Sequence, residues 1–120
     1  DISRECVQVN NARGDGVVYV WMSAMEIRPG DLFDVVTAWD ILEHIPECEI
    51  RVSIGNLARV CAGTFFATIA THKDRRHWGD PLHVTVKPSD WWLDRLGEFF
   101  DPLDVIDTYQ GGFCVMGMTK

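Results

Sequence analysis

The chain has 120 residues, 47% of them apolar and 24% charged, with a formal net charge of −7. That length suits one domain, able to bury about two thirds of the surface its unfolded chain exposes. Lys and Arg number only 11, so the basic stripe that phosphate binding needs is missing and a nucleic-acid partner is not expected. No apolar run approaches a membrane span, so no membrane partner is expected either.

In chain order, Ser3 to Ala12 reads as a short helix, with Ser3 as N-cap and Val7 facing inward. Gly14-Asp15-Gly16 turns the chain. Val17 to Met22, β-branched and aromatic, reads as a strand. Arg28-Pro29-Gly30-Asp31 turns it again, and Leu32 to Trp39 follows as a nearly continuous apolar run. Such continuity is expected where both faces of a sheet are covered, as in parallel α/β sheets. From Pro46 the period changes. Ile50, Ile54, Leu57, Ala58 and Cys61 fall on one face of an amphipathic helix, with Pro46 suited to its first turn and Gly63 to the position just past its end.

Thr64 to Ala70 is the next buried strand. The loop from Thr71 to about Val86 is rich in His, Arg and Trp, and long loops of this kind are often functional. Ser89 to Phe100 reads as a helix, with Asp90 in its first turn and Trp92, Leu93, Leu96 and Phe100 on its apolar side. Leu103 to Tyr109 and Phe113 to Met118 are the last strands, and the Gln110-Gly111-Gly112 loop between them is short enough for an antiparallel hairpin. The sum is an α/β fold: a mostly parallel sheet with helices on its faces, ending in an antiparallel hairpin.

Cys6, Cys48, Cys61 and Cys114 are scattered, without CxxC pairs or metal-ligand spacing. They read as reduced thiols of a cytoplasmic protein. His72 and His77 are too isolated to suggest a metal site, and none is expected. Lys73, Arg75 and Arg76, close to Asp74 and Asp80, read as a solvated face. Trp21 and Trp39 read as core residues. Trp91 and Trp92, being adjacent, must point to different sides of their helix.

"FDVVTAWDILEHIPE" resembles the segment around the fourth strand of class I S-adenosylmethionine-dependent methyltransferases. "LARVCAGTFFATIAT" is similar to that family's helix, glycine turn and fifth strand. "HVTVKPSDWWLDRLGEFF" resembles the helix that follows in members with a histidine-rich substrate loop, and "DVIDTYQGGFCVMGMTK" the final hairpin. The likeness spans essentially the whole chain and implies a truncated Rossmann-like domain over residues 1–120, with S-adenosylmethionine as cofactor and a small molecule or metabolite as methyl acceptor.

Two departures accompany it. The family's first strand and glycine-rich loop have no counterpart, and the opening Asp1-Ile2-Ser3, without a methionine, suggests a fragment. The family's acid before the adenine-flanking loop is matched by Ser23, which keeps a hydrogen-bonding group but loses the charge.

The resemblance implies a cofactor site made of Asp1 on the ribose hydroxyls, Ser23 and Ala24, and Ala38, Trp39 and Asp40 at the carboxyl end of their strand. In open parallel sheets that end is where ligands sit. Asp40 is read either as a ligand-facing carboxylate or as the N-cap of the Ile41–His44 turn. Glu43 and His44 match the family's acid–histidine pair, and are read as substrate contacts or as a hydrogen-bonded loop scaffold. His83 stands where the resemblance puts substrate-binding residues, as a general-base candidate or a packing histidine. Asp34, at the far end of its strand, reads as structural.

Two functions follow as expectations: a methyltransferase, or a non-catalytic truncated module acting in assembly. The second rests on the missing strands, which would leave sheet edges open between Val17–Met22 and Leu32–Trp39, available to another copy or a partner chain.

Overall fold

A computed structural model of the chain describes residues 4–17, 20, 22–27, 30, 32–73, 81–109 and 111–120. These form helix α1 (Arg4–Asn11), strand β1 (Phe33–Trp39), helix α2 (Glu47–Val60), strand β2 (Cys61–Ala70), helix α3 (Ser89–Leu96) and strands β3 (Phe100–Tyr109) and β4 (Gly112–Thr119). Single 3-10 turns lie at Ala24–Glu26 and Leu42–His44. The sheet order is β1-β2-β4-β3. β1 and β2 pair in parallel, while β4 sits between β2 and β3 and is antiparallel to both. Three strands therefore run one way and β4 alone opposes them: the expected mostly parallel sheet with its closing hairpin.

The core lies between the sheet and α2 and α3. Ile50, Ile54 and Ala58, spaced by four, are buried along α2, and Glu47 and Glu49 at its start with Arg59 at its end complement the helix dipole. They join Leu42, Phe65, Trp92, Leu96, Phe100 and Phe113 in one cluster. Phe65 and Phe100 stack at its centre, ring centroids 4.3 Å apart. Each fully buried side chain of this size contributes about 2 kcal/mol through its removal from water. Trp92 is fully buried, while Trp91 packs partly exposed beneath the Arg95 guanidinium at 4.8 Å. No helix among the described residues is long and apolar enough to cross a membrane.

Four expectations need correction. Gly63 does not end α2, because the helix runs straight into β2 at Cys61. Gly63 lies in that strand, where a Cβ would fall 2.5 Å from the Asp34 carbonyl oxygen; glycine there lets the two strands close up where their register shifts. Phe100 is buried, but as the first residue of β3, since α3 stops at Leu96 and Gly97 closes it by donating to the Leu93 carbonyl at 2.8 Å.

β1, read as covered on both faces, is covered on one. Ala38 is buried and Val36 packs on the core, whereas Phe33, Val35 and Trp39, on the opposite face, are each more than half exposed. β1 is an outer strand, paired among the described residues with β2 only. Of the strand expected over Val17–Met22, Val18, Tyr19 and Trp21 lie outside the described residues, and Val17, Val20 and Met22 belong to no strand. The Ser3 cap is also outside them; α1 begins at Arg4 with Val7 buried.

Candidate functional site

β1 ends by a backbone reversal. Asp40 takes a left-handed conformation, φ 47°, a region that among non-glycine residues favours Asp and Asn. Its N–H donates to the Thr68 carbonyl at 3.0 Å and to Thr68 Oγ1 at 2.9 Å. That link to the neighbouring strand holds the reversal in place. The chain then enters the Leu42–His44 turn, whose cap position is Ile41 without any side-chain cap. The N-cap reading of Asp40 is thereby corrected: its Oδ1 instead accepts a long hydrogen bond from the Tyr109 hydroxyl at 3.5 Å. Partial burial, and after it the Asp40 charge, hold the Tyr109 phenol above its ordinary range.

Beyond this end of β1 opens a cleft of about 880 Å³. Four residues expected at a cofactor site line it: Ser23, Ala24, Ala38 and Asp40. Its walls are largely apolar, with Ile41, Leu57, Leu82 and Val84, and its polar residues are few: Ser23, Thr37, Asp40, His44, Glu49 and Ser53. Mostly apolar walls with sparse polar groups are the usual make-up of a small-molecule site. The Ser23 hydroxyl has a structural task, accepting from the Met25 N–H at 3.2 Å while Glu26 accepts from the Ser23 N–H at 3.1 Å. Asn56, buried on α2, clamps this turn by donating to the Ala24 and Met25 carbonyls at 3.0 and 2.9 Å.

Trp39 is not on the cleft wall. It lies on the open face of the sheet against Phe66, centroids 4.7 Å apart, and is 59% exposed. Period 2 along β1 sends it to the side opposite Ala38, which corrects its core reading. Asp1 and His77 lie outside the described residues.

Glu43 is fully buried. Its Oε1 accepts from the Ala70 N–H at 3.1 Å, and its main-chain carbonyl accepts from the Val84 and Thr85 N–H groups, each at 3.0 Å. One residue thus joins the Leu42–His44 turn, the end of β2 and the segment before α3. Its Oε2 is buried without a hydrogen-bond partner. Burial raises the Glu43 carboxyl above its usual range, against the lowering effect of its backbone hydrogen bonds.

Two histidines, His44 and His83, lie close to it, and His72 meets the His83 ring edge to face at 5.2 Å. His44 donates from Nδ1 to the Leu82 carbonyl at 2.9 Å, His83 to the His72 carbonyl at 2.7 Å, and His72 to the Gly111 carbonyl at 2.6 Å. The His44 and His83 rings meet edge to face, centroids 5.0 Å apart. Glu43 and His44 are therefore scaffold residues with spare polar atoms, and His83 is brought to them across 39 positions of sequence.

Ser53 was not singled out from sequence, although it stands three residues after Ile50 on the buried side of α2. It is fully buried, its Oγ has no partner, and it lines the cleft. A hydroxyl on an apolar helix face was the available signal. A second hollow of about 510 Å³ lies beside Gly55 and Phe99. Its Arg51 and Arg59 are taken up by Glu98 and Asn56.

No protein-family model and no curated protein sequence matches the chain. Solved structures do match in fold. The magnesium protoporphyrin IX methyltransferase ChlM of Synechocystis PCC 6803 with bound SAM superposes with a TM-score of 0.64 at 18% identity, over 100% of this chain and 57% of its own. The DhpI–SAH complex gives 0.77 at 18% identity, over 99% of this chain and 63% of its own. The N-methyltransferase NodS of Bradyrhizobium japonicum WM9 in complex with SAH gives 0.68 at 14%, over 99% and 64%. The chain thus has a class I methyltransferase-like α/β fold and spans about three fifths of these structures.

Proposed function

We propose that the chain is the part of an S-adenosylmethionine-dependent methyltransferase that forms the methyl-acceptor side of the cleft and part of the cofactor side. The observation that carries this reading is the position of the cleft, at the carboxyl end of β1, with Ser23, Ala24, Ala38 and Asp40 around it. The fold shared with structures that hold SAM or SAH supports it.

The residues present suit such a cofactor. Apolar walls accept an adenine and a methylene chain, the Asp40 carboxylate suits a cation or a hydroxyl pair, and Ser53 Oγ is a buried group in want of a partner. The sulfonium would supply an activated methyl group for direct displacement. The protein's part is alignment and exclusion of water: Ala38 keeps the floor low, Ile41 and Leu57 keep it dry, and Asp40 stands at the reversal where charge complementarity is useful. His44, on the wall beside Asp40, is placed to orient an acceptor. A cleft of this size suits a small-molecule acceptor.

Calorimetric titration of SAM and of SAH into the chain tests the reading. Heat that saturates at one equivalent, and that weakens about tenfold or more in Asp40→Ala, is the expected result. A folded chain that binds neither ligand at millimolar concentration would leave it without support.

A second reading has one specific observation in its favour. β1 offers a free edge among the described residues and an exposed apolar face of Phe33, Val35 and Trp39, which suits a module that joins another chain through its sheet. Sedimentation over a concentration series separates the two: association that Val35→Lys abolishes, in a chain without affinity for SAH, favours assembly.

A further inference from the structure

Glu43, His44 and His83 each present a ligand atom, and these three atoms lie within 4.8 Å of one another. The sequence carried no metal-ligand spacing, because His83 reaches the group only through the loop after β2. We propose that they form a site for a divalent cation of the zinc, iron(II) or manganese class.

Four observations converge on it. First, both imidazoles hold the tautomer that suits ligation. A carbonyl oxygen only accepts, so the bonds from Nδ1 of His44 to Leu82 and from Nδ1 of His83 to His72 put the ring proton on Nδ1. Each Nε2 is left unprotonated, with its lone pair available. Donation of the second ring nitrogen to a carbonyl is the usual outer support of a metal-bound histidine. Second, the carboxylate is incomplete. Oε1 is committed to the Ala70 N–H, and Oε2 is fully buried with no partner; an unmatched buried oxygen of this kind is costly unless a cation or donor completes it.

Third, the positions are fixed by the fold. The Glu43 main chain is tied to Val84 and Thr85, which places His83 next to the turn that carries Glu43 and His44. His72, whose carbonyl orients His83, is itself held to Gly111, where φ is +95° and a Cβ would fall 2.6 Å from the His72 ring nitrogen. Fourth, the donor set has a recognised chemistry. Two imidazoles and one carboxylate bind borderline divalent metals and leave coordination positions open. Bound at about 2.1 Å, tetrahedral ligand atoms stand about 3.4 Å apart, so ring rotations of about an ångström close the group. His44 is exposed and His83 half-buried, which gives each ring room to turn about its Nδ1 hydrogen bond.

The site adjoins the cleft, since His44 lines both. An open coordination position there suits an oxygen donor such as a hydroxyl or carboxylate of the bound molecule. That last role rests on the methyltransferase reading; cation binding itself does not.

The test uses metal alone, without cofactor. Zn²⁺ is titrated calorimetrically into the chelator-treated chain, and Co²⁺ by visible absorption. The expected result is one equivalent bound, with a nitrogen/oxygen ligand-field spectrum and no thiolate charge-transfer band, and a loss of about tenfold or more in affinity in both His44→Gln and His83→Gln. Both histidines lie off the core, so these variants disturb the fold less than a change at the fully buried Glu43. A folded chain that binds neither ion overturns the proposal. So does binding that survives both substitutions, or a thiolate band, which assigns the metal to the cysteines. Because SAH binding is measured separately, failure of the cation site and failure of the methyltransferase reading give different results.

Discussion

His83 donates from Nδ1 to the main-chain carbonyl of His72 at 2.7 Å. The bond spans the segment between β2 and α3, so the orientation of one imidazole depends on the backbone of another. That backbone is held in turn by the hairpin: the Thr71 N–H donates to the Gly111 carbonyl at 2.8 Å, and His72 Nδ1 to the same oxygen at 2.6 Å. The closing hairpin therefore reaches the His83 ring through two successive hydrogen bonds.

Gly111→Ala tests this chain of support. Its φ of +95° disfavours a side chain, and the added Cβ meets the His72 ring. The variant is expected to lose about 1–3 kcal/mol of stability and to weaken Co²⁺ binding although it touches neither ligand. Urea unfolding read beside cobalt absorption checks both; unchanged cobalt affinity would separate the hairpin from the site.

Burial raises the Glu43 carboxyl, so in metal-free protein the folded state holds this proton more tightly than the unfolded state. The associated stability is complete below the ordinary carboxyl value of 4.5 and is lost as pH rises through the raised folded value. Glu43→Gln removes the titration. Wild-type unfolding midpoints should fall over that window by more than those of the variant; parallel pH profiles would show that Glu43 is not the group responsible.

Ile54, fully buried on α2, gives the scale of the core. Ile54→Val should cost about 0.5–1.5 kcal/mol and Ile54→Ala about 2–5 kcal/mol, both read from denaturant midpoints. A smaller cost for the alanine variant would mean that the α2–sheet interface collapses around the void.

Tyr109→Phe removes a hydrogen bond that is long, 3.5 Å, and exposed. Stability should change by no more than about 0.5 kcal/mol, and SAH affinity by less than in Asp40→Ala. An equal loss of affinity would move the Tyr109 hydroxyl into the ligand's direct contacts.

Where hydrophobic period and turn chemistry act locally, the sequence was a good guide. Ile50, Ile54 and Ala58 marked the buried face of α2, and Gly111-Gly112 marked the hairpin. It misled where a residue's surroundings depend on distant elements. Trp39 is apolar and ends a strand, but its face of the sheet has no described cover. Phe100 continues the helical period of α3, but the chain turns at Gly97 and buries it from a strand.

The site was legible in halves. Asp40, Glu43 and His44 are neighbours in sequence, and a ligand crevice at the end of their strand followed from sheet geometry. The arrival of His83 did not, because it depends on the Glu43 carbonyl capturing Val84 and Thr85. Those main-chain bonds leave no mark in residue type.

The left-handed backbone at Asp40 sets two selective pressures against each other. Glycine would adopt φ 47° with less strain, so a library screened for heat resistance alone should drift toward glycine at position 40 and lose the carboxylate at the cleft. A library screened for ligand capture should keep aspartate at some thermal cost. Comparing the two enriched populations at this one codon would show which demand has shaped it.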